Sequence, residues 1–192
     1  MSKIRLAGVV KESSVDGEGL RYVVFTQGCH HKCKGCHNTQ THNISDGVDV
    51  DIDKIISDVN KNPLLNGVTI SGGEPLLQID NLIPLLEGLK KYGKHIMMYT
   101  GYTYEAICSL HRGNCIGFEN VFKLLSYVDV LVDGKFVEEL KSVDCIYRGS
   151  TNQRLIDVPK TLESGHVCEY ELDKDLVDEM SSKSLDEFLN LD

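Results

Sequence analysis

The sequence predicts an α/β domain, a partial, laterally open (β/α) barrel of five or six mostly parallel strands. Three observations carry that expectation. Short β-rich runs alternate with helical runs along most of the chain, the pattern of right-handed βαβ units with a parallel sheet covered by helices. The chain has 192 residues, whereas a closed eightfold barrel usually takes about 250. Five expected strands in a row end in small or polar residues, at the end where parallel α/β folds gather their functional groups.

The elements follow in order. Residues 21–26 (RYVVFT) are rich in β-formers and bounded by Gly19 and Gly28, so they read as a strand. Asp51 opens a helix in which Ile52, Ile55, Ile56 and Val59 fall on one face. Asn62-Pro63 and Asn66-Gly67 punctuate, and residues 68–70 form a short strand. Asp80 is expected to cap a second helix buried through Leu82, Ile83, Leu85, Leu86 and Leu89, which Gly93 stops. Residues 96–99 read as a strand, 103–110 as a helix, and Val121, Leu124 and Leu125 as part of another helix. Residues 128–132 (VDVLV) are the clearest buried strand, with weaker strands expected at 145–147 and 154–158. A single domain is expected over residues 1–160, with an acidic extension over 161–192 packed on it or trailing from it.

The strand-end segments form a coherent set. After the first strand comes GCHHKCKGCHN (residues 28–38), after the second SGGEP (71–75) and after the third TGY (100–102). DGK (133–135) follows the fourth and RGSTNQR (148–154) the fifth. Cys29, Cys33 and Cys36 lie within eight residues, close enough for all three thiolates to reach one metal centre. Three thiolates suit an iron–sulfur cluster that keeps one iron open to a substrate. The spacing also admits zinc, with His30, His31 or His37 completing a Cys3His set. Cys33-Lys-Gly-Cys36-His37 further fits the pattern of covalent haem attachment, and three reduced structural thiols are the blandest option.

Composition bounds these options. With 41% hydrophobic and 26% charged residues the chain matches ordinary soluble domains, and no apolar run approaches membrane-span length. Residues 1–19 carry charges every few positions and have no apolar core, so no export signal is expected and a cytoplasmic location follows. In that compartment seven cysteines argue for metal binding over a disulfide framework, and against haem attached outside the cytosol. A net charge of −9 argues against nucleic acid as a partner. Much of the acid is in residues 169–192, where nine carboxylates face Lys174 and Lys183. Cys108, Cys115, Cys145 and Cys168 are too scattered for a second cluster and are read as packing or free thiols. His30 and His31 are read as solvated loop residues beside better ligands.

Residues 15–38 (VDGEGLRYVVFTQGCHHKCKGCHN) resemble the N-terminal region of radical S-adenosylmethionine (SAM) enzymes that activate glycyl-radical enzymes. Both the C-x-x-x-C-x-x-C signature and the preceding V-D-G-x-G-x-R segment match. SGGEP, YTGY (99–102), LVDGKF (131–136) and RGSTNQR are similar to the family that activates anaerobic, class III ribonucleotide reductase. The resemblance covers roughly residues 15–158. Gly35 stands where the superfamily often has an aromatic residue, and Glu18 where activating enzymes usually have proline.

The resemblance implies a 4Fe–4S cluster held by Cys29, Cys33 and Cys36, with SAM on the open iron. Reductive cleavage of SAM would give a 5′-deoxyadenosyl radical that takes hydrogen from a glycine of the reductase's large subunit. No acid–base residue is implied. Gly72, Gly73 and Glu74 match the element that receives the SAM amino group, and Gly35 and His37 would lie against the adenine or the cluster edge. Thr100, Gly101 and Asp133 complete the expected cofactor contacts, and Lys135, Arg148 and Asn152 are expected to face the partner. The implied partners are that large subunit and a one-electron donor such as a flavodoxin-type protein, with no nucleic acid and no membrane.

Overall fold

The computed structural model describes residues 2–172. Seven strands form one sheet: β1 (Lys3–Ser13), β2 (Arg21–Thr26), β3 (Val48–Asp51), β4 (Gly67–Gly72), β5 (His95–Tyr99), β6 (Val130–Asp133) and β7 (Arg154–Asp157). Their spatial order is β3-β1-β2-β4-β5-β6-β7. The central strands β2, β4, β5 and β6 run parallel to one another. The flanking strands β1, β3 and β7 each pair antiparallel with a neighbour. The fold is therefore mixed α/β with a parallel centre; among the described residues the sheet has seven strands rather than the expected five or six, and β1, β3 and β7 are antiparallel to their neighbours.

Among the described residues four α-helices lie between strands, α1 (Ile52–Asn60), α2 (Ile79–Lys91), α3 (Tyr104–Arg112) and α4 (Val121–Leu125), and a fifth, α5 (Val158–Ser164), follows β7. The Asp51 carboxylate caps α1 by accepting from the Asp53 N–H, and Thr103 caps α3 through the Ala106 N–H. Asp80 does not cap α2. The helix starts one residue earlier, with Asp80 in its first turn, where a negative charge suits the helix dipole. Past the α2 terminus Gly93 takes a φ of +69°, the left-handed conformation that glycine adopts without strain.

The two faces of the sheet differ in chemistry. Val24, Ile70, Ile96, Met98, Leu131 and Ile156 point to one side and pack in a common core with α1 to α4. That core includes six buried side chains of α2, each contributing roughly 1.5–3 kcal/mol through removal from water. On the other face Met97, Val130, Val132 and Leu155 form a smaller apolar cluster with Tyr99, Tyr147, Tyr170 and Leu172. Beside it Arg21, 1% exposed, donates to Thr69 Oγ1 at 2.6 Å and to the Val68 carbonyl at 2.7 Å. A buried guanidinium is tolerable only with its donors satisfied. This one ties β2 to β4.

Residues 145–147, expected as a strand, form a turn, so the RGSTNQR segment is a loop leading into β7 rather than the end of a parallel strand. After α5 the chain turns at Gly165, with φ +76°, and returns along β7. The Asp157 N–H donates to the Cys168 carbonyl and the Tyr170 N–H to the Leu155 carbonyl, both at 2.9 Å. Residues 173–192 of the expected extension lie outside the described residues. Among the described residues no helix is long and apolar enough to cross a membrane.

Candidate functional site

The four parallel strands deliver their C-terminal turns to one end of the sheet, around an open cavity of about 460 Å³. That volume lies within the usual span of small-molecule sites. Cys29, Cys33 and Cys36 line it on one side, and Gly72, Gly73, Thr100 and Gly101 on another. His37, Lys135 and Arg148 also reach it, whereas Gly35, Glu74, Asp133 and Asn152 do not.

The cysteine loop is fixed at both ends by backbone hydrogen bonds. The Gly28 N–H donates to the Thr41 carbonyl at 2.8 Å and the Cys29 N–H to the His42 carbonyl at 3.1 Å. Buried Gln27 reinforces this return through Nε2, which donates to the Asn43 carbonyl at 2.7 Å. Inside the loop Lys32 takes a φ of +49°, and the Cys36 N–H closes a turn on the Cys33 carbonyl at 3.2 Å. All three thiols are half-buried, and burial pushes those of Cys29 and Cys33 up. The Asn38 N–H donates to Cys36 Sγ at 3.4 Å, the kind of contact that tunes a cluster sulfur. Among the described residues no three His, Cys, Asp or Glu side chains converge on one ion position. All three thiols edge one cavity, and three thiolates on a single loop are a donor set of the kind that holds an iron–sulfur cluster.

Glu74 is wholly buried. Its Oε1 accepts from the Leu76 N–H at 3.0 Å and from Thr100 Oγ1 at 2.9 Å. Its Oε2 accepts from the Gly101 N–H at 2.8 Å and lies 2.7 Å from His31 Nε2. One carboxylate thus joins the cysteine loop, its own turn and the turn after β5. His31 is not the solvated residue expected from the sequence: its side chain is 5% exposed and packs edge-on to Tyr102, with ring centroids 4.8 Å apart. His30 matches the expectation better, being exposed, though its Nε2 lies 2.8 Å from the Tyr102 hydroxyl.

Asp133 is turned away from the cavity. It accepts from the Tyr104 N–H at 2.8 Å and from Arg154 Nε at 3.0 Å, with a second, shorter contact to the same guanidinium. Arg154 also grips Glu105 and holds that carboxyl down at about 2. Gly35 is exposed at the loop surface, where a Cβ would meet Glu138 Oε1 at 2.9 Å. Asn152 is exposed and donates through Nδ2 to the Lys135 carbonyl at 2.9 Å.

The motifs marked several cavity residues without giving their roles, and Tyr147 was not singled out at all. Gln153 ties the RGSTNQR loop together, accepting at Oε1 from the Gly149 and Ser150 N–H groups and donating to the Gly134 carbonyl. Arg148 donates through Nη1 to the Gln153 carbonyl, while its buried Nε has no partner. Tyr147, at φ +57°, accepts at its carbonyl from the Tyr99 hydroxyl at 2.8 Å, and burial pushes the Tyr99 phenol well above its ordinary range. Cys145, read from the sequence as a packing or free thiol, is on the cavity wall.

Residues 15–156 match the family described as a 4Fe-4S single cluster domain. The anaerobic ribonucleoside-triphosphate reductase-activating protein of Haemophilus influenzae is 36% identical over 147 residues, covering 72% of this chain and 88% of its own. The protein of that name from Escherichia coli K12 is 33% identical over 72% of this chain and 89% of its own, and that of Enterobacteria phage T4 is 35% identical over 73% and 86%. A solved structure, QueE from Escherichia coli, overlaps on 54% of this chain and 55% of its own at a TM-score of 0.43 and 18% identity. A cavity edged by three closely spaced thiols, within a matched 4Fe–4S domain and a chain this similar to named activating proteins, leads to one assignment. The chain belongs to the family of anaerobic ribonucleoside-triphosphate reductase-activating proteins.

Proposed function

We propose that this protein activates an anaerobic ribonucleotide reductase by forming a glycyl radical on its large subunit. The carrying observation is the cavity that Cys29, Cys33 and Cys36 share with the turns after β4 and β5. In this reading the three cysteines would hold the 4Fe–4S cluster and keep one iron open for SAM. With both bound, the cluster and SAM supply a 5′-deoxyadenosyl radical able to remove hydrogen from a glycine Cα. No proton donor or acceptor is required of the side chains.

The chain's own residues bind, orient and exclude water. Gly72 and Gly73 present backbone to the cavity where an ammonium group needs acceptors. His37 and Thr100 bound the space left for the adenosine. The sheet reads as a laterally open partial barrel, supported by its helix-covered outer face and by a strand order in which β3 and β7, at its two ends, do not pair with each other. Such an opening admits a peptide. Lys135, Arg148 and Asn152 are proposed to face it, and a flavodoxin-type donor in the cytoplasm to supply the electron.

The test is anaerobic reconstitution with iron and sulfide, followed by reduction. A paramagnetic 4Fe–4S spectrum that SAM perturbs, with 5′-deoxyadenosine released, supports the reading. A reduced cluster unaffected by saturating SAM rules it out.

A further inference from the structure

We propose that His31 and Glu74 form a buried positioning pair that locks the cysteine loop onto the turns after β4 and β5, and that Glu74 acts through this lock rather than as a direct ligand of SAM. The inference rests on the functional reading above. A carboxylate offers about four lone-pair sites. Those of Glu74 are taken by the Leu76 N–H, the Thr100 hydroxyl, the Gly101 N–H and His31 Nε2, all within 3.0 Å. The residue is 0% exposed and is not on the cavity wall, so a bound ammonium group has neither access nor a vacant acceptor there. Gly72 and Gly73, on that wall, can offer carbonyls instead.

The interlock is steric as well as polar. A Cβ on Gly101 would stand 2.4 Å from His31 Cδ2, and one on Gly73 would stand 2.2 Å from the Gly28 carbonyl oxygen. The Glu74 N–H also donates to that Gly28 carbonyl, at 2.7 Å. Two glycine-lined turns thus close on the residues flanking Cys29, and His31 is the side chain that reaches across. Any shift of His31 displaces Cys29 and Cys33, two residues away on either side, relative to Gly73 and Gly101. The distance between cluster and SAM is what the pair sets.

Partners that orient metal ligands typically cost 10–100-fold in affinity or activity when removed. The test uses His31→Ala, His31→Gln, Glu74→Gln and the His31→Ala/Glu74→Gln double variant, each loaded anaerobically beside the unaltered protein. Iron per chain, the paramagnetic spectrum of the reduced cluster before SAM is added, and SAM affinity are read for each. Both His31→Ala and Glu74→Gln are expected to load iron, alter the SAM-free spectrum and weaken SAM binding about tenfold, with the double variant no worse than either, because the residues act as one unit. His31→Gln, which keeps an N–H donor, restores most of the affinity and the spectrum. Weaker SAM binding in Glu74→Gln alone, additive with a neutral His31→Ala, makes Glu74 a direct ligand and overturns the proposal. So does a loss of iron in His31→Ala that His31→Gln does not repair, since that marks general unfolding of the loop. An unaltered protein whose cluster ignores SAM fails the functional reading first, and the proposal falls with it.

Discussion

At the scale of single residues, the three cysteines were legible because their spacing is local, whereas their neighbours' roles depend on contacts across the fold. His31 looked solvated because nothing near it in sequence can bury it. Its partner, Glu74, is 43 residues away. Asp133 looked like a ligand because strand ends usually carry function, yet Arg154 claims it across the β6–β7 pair. Replacing Cys29, Cys33 or Cys36 by alanine is expected to abolish SAM cleavage, and Cys108→Ala to leave it within about twofold, since Cys108 packs against the helical core. Equal losses at all four positions, measured as 5′-deoxyadenosine formed, would remove the special status of the triad. Gly73 and the cysteines sit on separate loops in sequence, but the close approach of Gly73 to Gly28 couples them. Gly73→Val should therefore reduce iron content together with SAM affinity. Normal iron loading in that variant would show the coupling is slack. His95 gives a pH effect: burial, and then Arg21 with Nη1 3.3 Å from Nδ1, press its pKa below the ordinary value, against weaker opposing pulls from Asp129 and Glu18. The unfolded chain then binds the proton first. Stability is expected to fall as pH drops below about 6.5, and His95→Gln to flatten that slope in denaturant titrations.

At the scale of elements, the central strands, most helices and the edge strand β7 could be read from the sequence, while β1 and β3 could not. Of β1, only Ile4 and Leu6 join the core before the strand runs out exposed past Gly8. β3 is four residues long, with Val48 exposed. Both exist because they pair, Lys3 to Leu6 against Val48 to Asp51, and pairing is not written in local composition. The segment after α5 was equally hidden. Tyr170 packs on the second apolar cluster, and its hydroxyl donates to Glu18 Oε2 at 2.8 Å, covering that face. Burial raises this phenol to about 12. Tyr170→Phe should cost about 1 kcal/mol and Tyr170→Ala about 2–3 kcal/mol in denaturant unfolding, with iron content unchanged. No loss in either variant would mean the segment merely rests on the sheet.

At the scale of the molecule, one topological fact organises function: four parallel strands put their outgoing turns at the same end, and the loop leading into antiparallel β7 adds Arg148, Gly149 and Gln153 to the same cavity. Arg148 sits where that end meets the RGSTNQR loop, on the cavity wall with an unpartnered Nε. If it guides the partner's peptide, Arg148→Ala lowers glycyl-radical formation several-fold more than it lowers uncoupled SAM cleavage. Proportional losses in a single anaerobic assay would assign it to SAM or to the loop instead. The most direct measurement of the whole account is the paramagnetic resonance spectrum of an anaerobic mixture of this protein, reductant, SAM and the large subunit of an anaerobic ribonucleotide reductase. The expected result is a glycyl-radical doublet on the large subunit, formed with methionine and 5′-deoxyadenosine and absent with Cys33→Ala. SAM cleaved at full rate with no radical on that subunit would contradict it.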